Sequence, residues 1–211
     1  MSKTIQYWFW DARQAQKDGK KMTAVDIAIL LRSDLTHVEK RFDANRGYVS
    51  YSSTSADDAD GGRFKYIDYS HPKRWRVLAF EVTDSEEQMI WEKCCDKADM
   101  PYDWQENTNL YFDGKKYQGP NHIRYDFIGL LSFALEKSPT WWRNIQRWAM
   151  WFWTVIIKPD PNKEWCSEST SDVWNRAAMM YGKFERVEID PQEMWDTMKK
   201  FKGVRVVSSV E

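Results

Sequence analysis

The chain has 211 residues, with 31 basic against 32 acidic side chains, 42% hydrophobic and 16% aromatic residues. The near-zero charge excludes a generally basic nucleic-acid-binding surface and an acidic solvating tail. The apolar content, with only nine glycines and seven prolines, excludes wholesale disorder. Thirteen tryptophans are an excess that needs an explanation.

Cys94, Cys95 and Cys166 cannot all pair with one another, and the odd count points to reduced thiols. The three cysteines and three histidines lie scattered, with no C-x₂-C or H-x₃-H spacing, so no zinc site is expected. Met1 to Trp10 carries one lysine and no long apolar core, unlike a signal peptide. The longest apolar stretch, Trp148 to Ile157, falls well short of the roughly 20 residues that span a bilayer. The expectation is a soluble, cytoplasmic protein forming one domain over 1–211.

In chain order, residues 1–23 mix tryptophan and tyrosine with lysine and glutamine, and are expected to form an amphipathic or irregular lead-in. Ala24 to Leu31 is a nearly continuous apolar run and reads as a buried strand. Thr36 to Phe42 alternates and Gly47 to Thr54 is rich in β-formers, with a turn between them. The pair predicts an antiparallel hairpin. Asp57 to Gly62 is a polar loop, and Arg63 to Ile67 and Trp75 to Val82 are two further strands. At Thr83 a cap residue and an acidic first turn open a helix that runs through Ala98.

Residues 107–118 are expected to hold a small hairpin, Tyr125 to Leu135 a second helix, and 139–160 a tryptophan-rich insertion. Cys166 to Met180 reads as a helix, and Asp190-Pro191 starts a last one before a terminal strand at Val204 to Val207. Strands come early and helices late, which predicts an α+β fold.

Two short motifs carry chemistry: Thr36-His-Val-Glu39 and Trp165-Cys-Ser-Glu168. Cys166 is expected in the first turn of its helix, where the positive end of the helix dipole favours a thiolate. An imidazole beside a thiolate forms an ion pair suited to acyl transfer, and the Cys166 N–H at the helix start would be available to an oxyanion. A lone cysteine is otherwise a small hydrophobe, and a lone strand histidine a satisfied core or surface residue. Cys94 and Cys95 are assigned to packing. His71 and His122 have no cysteine motif beside them.

Together these residues resemble a known family. The order Val25-Asp26-Ile27, Thr36-His37-Val38, an acidic-capped helix, Tyr125-Asp126-Phe127, Trp165-Cys-Ser-Glu168 and Asp190-Pro191 is similar to the circularly permuted branch of the NlpC/P60 papain-like superfamily. That branch includes the YiiX/YaeF-like hydrolases and the lecithin:retinol acyltransferase group. The resemblance covers roughly residues 24–195. It implies a permuted papain-like fold whose antiparallel sheet packs against the cysteine helix, with no cofactor and no metal.

Residue by residue, the resemblance implies Cys166 as nucleophile and His37 as general base. The family's third, orienting group lies on the strand after the histidine, which here reads Val49-Ser-Tyr-Ser-Ser53. Ser52 takes that position, with Ser50 on the same strand face. Glu39 shares a strand face with His37 and is either a substitute third residue or a solvated edge charge. Glu168 either braces the helix start or lines the cleft.

The resemblance implies a cysteine hydrolase or acyltransferase, thiol-protease-like, cleaving an amide or ester. A peptidoglycan peptide, a lipid acyl group or a protein is the substrate. The alternative is a non-enzymatic structural or interaction protein with a degenerate site, for example a phage virion component. Trp141, Trp142, Trp148, Trp151 and Trp153 are core, a platform beside the cleft, or a surface for a protein partner or a membrane. Nucleic acid is not an expected partner.

Overall fold

The computed structural model describes residues 2–22, 30, 33–54, 61–66, 70–104, 123–124, 163–177, 181–186 and 189–207. Within them the chain is α+β. Six strands form one antiparallel sheet: β1 (Ser2–Asp11), β2 (Leu35–Arg41), β3 (Ser50–Thr54), β4 (Gly61–Lys65), β5 (Trp75–Thr83) and β6 (Val204–Val207). Their order across the sheet is β4-β3-β2-β1-β5-β6. The described helices are α1 (Ala12–Lys17), α2 (Asp84–Ala98), α3 (Cys166–Ala177) and α4 (Pro191–Met198).

The expected lead-in is instead a central strand. In β1, Ile5, Tyr7 and Phe9 point to the helical side and are fully buried. Trp8 and Trp10 point to the other side, where both meet Trp75 edge-on at 6.0 and 5.0 Å. A strand covered on both faces shows no alternation of apolar and polar residues, which is why its signal was muted. The register shifts between Trp10 and Asp11, and the Asp11 carboxylate then accepts the Gln14 N–H at 2.8 Å to cap α1.

The hairpin β2–β3 forms as expected. Asp43 accepts the Ala44 N–H at 2.7 Å, and Gly47 takes the left-handed conformation at φ 61° that closes the turn. Strand β4 begins two residues before the expected Arg63, on Gly61 and Gly62. A Cβ at Gly62 would stand 2.6 Å from the Tyr51 hydroxyl and 2.9 Å from the Lys97 carbonyl oxygen, so a glycine lets α2 close onto the sheet. Thr83 and Glu86 form a reciprocal capping box at the start of α2. Asp190 caps α4 through the Glu193 N–H at 2.7 Å, with Pro191 in the first turn.

The helices α2, α3 and α4 pack on one face of the sheet. Trp174 of α3 meets Tyr7 at 5.6 Å and Phe80 at 4.6 Å, and burying a side chain of that size contributes roughly 2–3 kcal/mol. Phe9 meets Trp195 of α4 at 5.3 Å, and Phe42 meets Trp91 of α2 at 5.0 Å. Eight of the thirteen tryptophans thereby find places in or beside the sheet layers: Trp8, Trp10, Trp75, Trp91, Trp104, Trp165, Trp174 and Trp195. No helix among the described residues is long and apolar enough to cross a membrane. The expected strand at 24–31 (except Leu30), the hairpin at 107–118, the helix at 125–135 and the insertion at 139–160 lie outside the described residues.

Candidate active site

Three elements converge on Cys166. The Trp165 carbonyl accepts the Ser169 N–H at 2.9 Å, which makes Trp165 the N-cap and Cys166 the first helical residue. Trp165 Nε1 and Ser167 Oγ both donate to the Ile189 carbonyl, at 3.3 and 2.5 Å. The residues on either side of Cys166 are therefore pinned to one acceptor just ahead of α4. On the opposite flank, Ser53 Oγ of β3 donates to the Glu164 carbonyl at 2.8 Å, and the Tyr51 hydroxyl meets Ser169 Oγ at 3.2 Å.

His37 comes from β2. The β2–β3 ladder comprises only the pairs Lys40↔Tyr51 and Arg41↔Ser50, so toward His37 the two strands no longer pair. Into this part of the fold α3 delivers Cys166, close enough for its sulfur to act on the charge of the His37 imidazole. Cys166 is only 2% exposed, whereas the His37 side chain keeps 23% of its surface. The two motifs, far apart in sequence, thus meet in one place.

Behind the imidazole stands a fully buried carboxylate. His37 Nε2 and Glu39 Oε1 are 2.9 Å apart, and Lys65 Nζ lies 2.9 Å from the same oxygen. Burial pushes the Glu39 carboxyl up, but Lys65, His37 and Arg63 together outweigh it and hold Glu39 well below the usual carboxylate range. An ionised carboxylate only accepts, so Nε2 carries the proton and Nδ1 is left for the sulfur. For His37, burial pulls downward, while the Cys166 sulfur and the Glu39 carboxylate pull upward and prevail. The imidazole is raised from 6.5 to about 9. The imidazolium form is therefore favoured at neutral pH.

The remaining sequence-selected residues fall as follows. The far imidazole nitrogen is held by Glu39, not by Ser52, whose buried hydroxyl has no hydrogen-bond partner among the described residues. The geometric reason is that Glu39 sits two residues along the same strand as His37, on its face, while β3 has already parted from β2. Ser50 is fully buried and paired in register with both Arg41 and Lys65. Glu168 accepts the Trp165 N–H at 3.4 Å, which is the bracing role at the helix start. Glu39 is fully buried, so it is not a solvated edge charge.

Sequence reading did not single out Lys65 and Arg63. Their alternation around Phe64 places both on one face of β4, but only the register Ser50↔Lys65 and Ser52↔Arg63 turns that face toward Glu39. Cys94 and Cys95 are fully buried in α2, and burial raises both thiols. Among the described residues no group of His, Cys, Asp and Glu could hold a metal ion. No protein-family model, curated protein or solved structure matches the chain.

Proposed function

We propose that the chain is a cysteine hydrolase or acyltransferase acting on an amide or ester through a Cys166 thioacyl intermediate. The observation that carries this reading is one imidazole 2.9 Å from the buried Glu39 carboxylate and near enough to the Cys166 sulfur to act on its charge. The Cys166 sulfur is the nucleophile, and His37 takes the proton of the thiol. The thiolate attacks the carbonyl carbon, and a C–S bond forms as the carbonyl π pair moves onto oxygen. The Cys166 N–H, at the first helical position, has no intrahelical acceptor and points its dipole at that oxygen.

As the tetrahedral species collapses, the bond to the leaving nitrogen or oxygen breaks and His37 gives that atom its proton. The now neutral imidazole takes a proton from water or an acceptor alcohol or amine, which attacks the thioester and releases Cys166. Glu39 keeps the ring oriented and stabilises its charged form. The permuted papain-like architecture of the NlpC/P60 superfamily accommodates this order of histidine before cysteine. Peptidoglycan peptides, lipid acyl groups and proteins are the substrate classes that this chemistry covers.

The test is acylation by p-nitrophenyl acetate. The expected result is a burst of nitrophenol and a mass gain of about 42 Da on Cys166, absent in Cys166→Ala. The 2% exposure of Cys166 favours a second reading, an interaction protein whose site is closed. Absence of the burst together with iodoacetamide labelling of Cys166 no faster than that of Cys94 and Cys95 would select it.

A further inference from the structure

Two buried cations differ in how the fold treats them. Lys97 of α2 meets both Glu164 carboxylate oxygens, at 2.5 and 2.6 Å, and Asp172 at 2.9 Å. Every Lys97 proton has an acceptor, and the pairing ties α2 to α3. Arg63 of β4 is 2% exposed, yet among the described residues its Nε has no hydrogen-bond partner and it forms no ion pair with a carboxylate. Leaving a guanidinium buried and unpaired is among the costliest things a fold can do.

Arg63 is not alone. Its register partner Ser52 presents a fully buried hydroxyl without a partner, and Oε2 of Glu39, on the same side of the sheet, is likewise buried and unengaged. Arg63 is close enough to Glu39 to act on its charge, but not to bond it. A buried guanidinium N–H, a hydroxyl that can donate or accept, and a spare acceptor thus share one face of the sheet with the His37–Glu39 pair. Native proteins satisfy such atoms with a partner, protein or otherwise.

The charges say which partner. Lys65 is bonded to Glu39 at 2.9 Å, which leaves the Arg63 guanidinium with no bonded counter-charge among the described residues. One positive charge is left over, and a planar monoanion fits it: a carboxylate, bidentate on the guanidinium and hydrogen-bonded by Ser52. The partly exposed sides of His37 and Lys65, at 23% and 27%, mark the approach.

We infer that Arg63 and Ser52 form a carboxylate-recognition subsite, and that the acyl donor consumed at Cys166 bears a free carboxylate beside its scissile carbonyl. This rests on the acyl-transfer reading above. A residue kept for a ligand has a further signature: burying its charge costs the empty fold at least as much as its unbonded attraction to Glu39 contributes. Neutralising it leaves the unliganded protein as stable or more so.

The experiment compares two alkylating reagents with one warhead, neutral iodoacetamide and anionic N-iodoacetylglycine. Native protein should label at Cys166 about tenfold faster with the anionic reagent, the scale of one charge-assisted bidentate contact, and Arg63→Gln should bring the ratio toward one. Arg63→Gln should also melt no lower than the native chain. In Cys166→Ala, with Arg63 untouched, glutarate should raise the melting temperature and shift the Arg63 Nε–H resonance, which keeps the test independent of Arg63 variants. Acetate separates a free small anion from a tethered carboxylate: stabilisation by acetate as strong as by glutarate, with a reagent ratio of one, overturns substrate recognition. A ratio unchanged by Arg63→Gln, or an unmoved Nε–H resonance, overturns the subsite and leaves Arg63 satisfied by water. If glutarate shifts Arg63 while Cys166 resists both reagents, the subsite stands and the acyl-transfer reading falls.

Discussion

Two buried thiols in this molecule each meet a basic side chain, and only one has the surroundings of a nucleophile. Cys94 lies within α2 with Lys40 Nζ at 3.5 Å from its sulfur. Lys40 is fully buried between the rings of Tyr7 and Tyr51, at 5.9 and 5.3 Å. Burial there raises the thiol and lowers the amine, so it opposes charge on both members of the pair. Cys166 opens a helix instead of lying inside one, and its base is backed by the ionised carboxylate of Glu39. A thiol beside a base is therefore insufficient. A helix terminus and a second charge behind the base separate reactivity from packing.

The comparison breaks first at Cys166 and His37. Either Cys166→Ala or His37→Ala should cut p-nitrophenyl acetate turnover by about 10³-fold or more, because the pair acts as a unit, whereas Cys94→Ala should leave the burst intact. Equal losses from the Cys94 and Cys166 variants would erase the distinction.

Next is the carboxylate. Glu39→Gln should pull His37 down from about 9 and lower the acylation rate at neutral pH by roughly 10–100-fold. An NMR titration of the imidazole reads the shift directly. The sign of the linkage is fixed by the direction. A histidine raised from 6.5 to about 9 contributes stability that is complete below 6.5 and disappears as pH rises through about 9. Denaturant midpoints across that interval should fall in the native chain and stay flatter in Glu39→Gln.

Lys40→Met sharpens the other side. Replacing a buried amine that forms no ion pair with a described carboxylate by an apolar side chain of similar volume should stabilise the fold by about 1 kcal/mol or leave it unchanged. Acylation at Cys166 should be unaffected. A large destabilisation in urea would show that Lys40 is charged and paired in the core. The smallest effect belongs to Glu168. Glu168→Ala loses the contact to the Trp165 N–H, and thermal melting should report about 0.5–1 kcal/mol.

Much of the architecture was readable because its signals are local. The β2–β3 hairpin has its turn residues, α2 its capping box, and α4 its Asp190-Pro191 start, each written within a few positions. Strand β1 was not readable as such, since Trp8 and Trp10 give its outer face the same apolar character as Ile5, Tyr7 and Phe9 on its inner one. At the site, Cys166 and His37 stood out by residue type and by their places at the ends of elements. Nothing local tells that they approach each other.

The selection of Ser52 followed a strand-to-strand expectation, and the two-pair β2–β3 ladder removes the pairing on which it depended. Glu39 was visible as an option two residues from His37, but its burial was not. Arg63 and Lys65 were silent because a charge on an exposed strand face and one on a buried face look alike in sequence.

The central place of β1 has a consequence for how the chain is made. Its two sheet neighbours are β2, close by in sequence, and β5, whose Thr83 pairs with Ser2 about 80 residues downstream. At roughly 5–20 residues per second, a ribosome needs several seconds to supply that partner. During this interval an aromatic strand stands with one hydrogen-bonding edge open and both faces uncovered. Production of the protein should therefore be limited by what happens to the nascent chain in those seconds. Slower synthesis at lower temperature, or a holding chaperone that binds aromatic segments, should raise the soluble yield more than any substitution in the finished core.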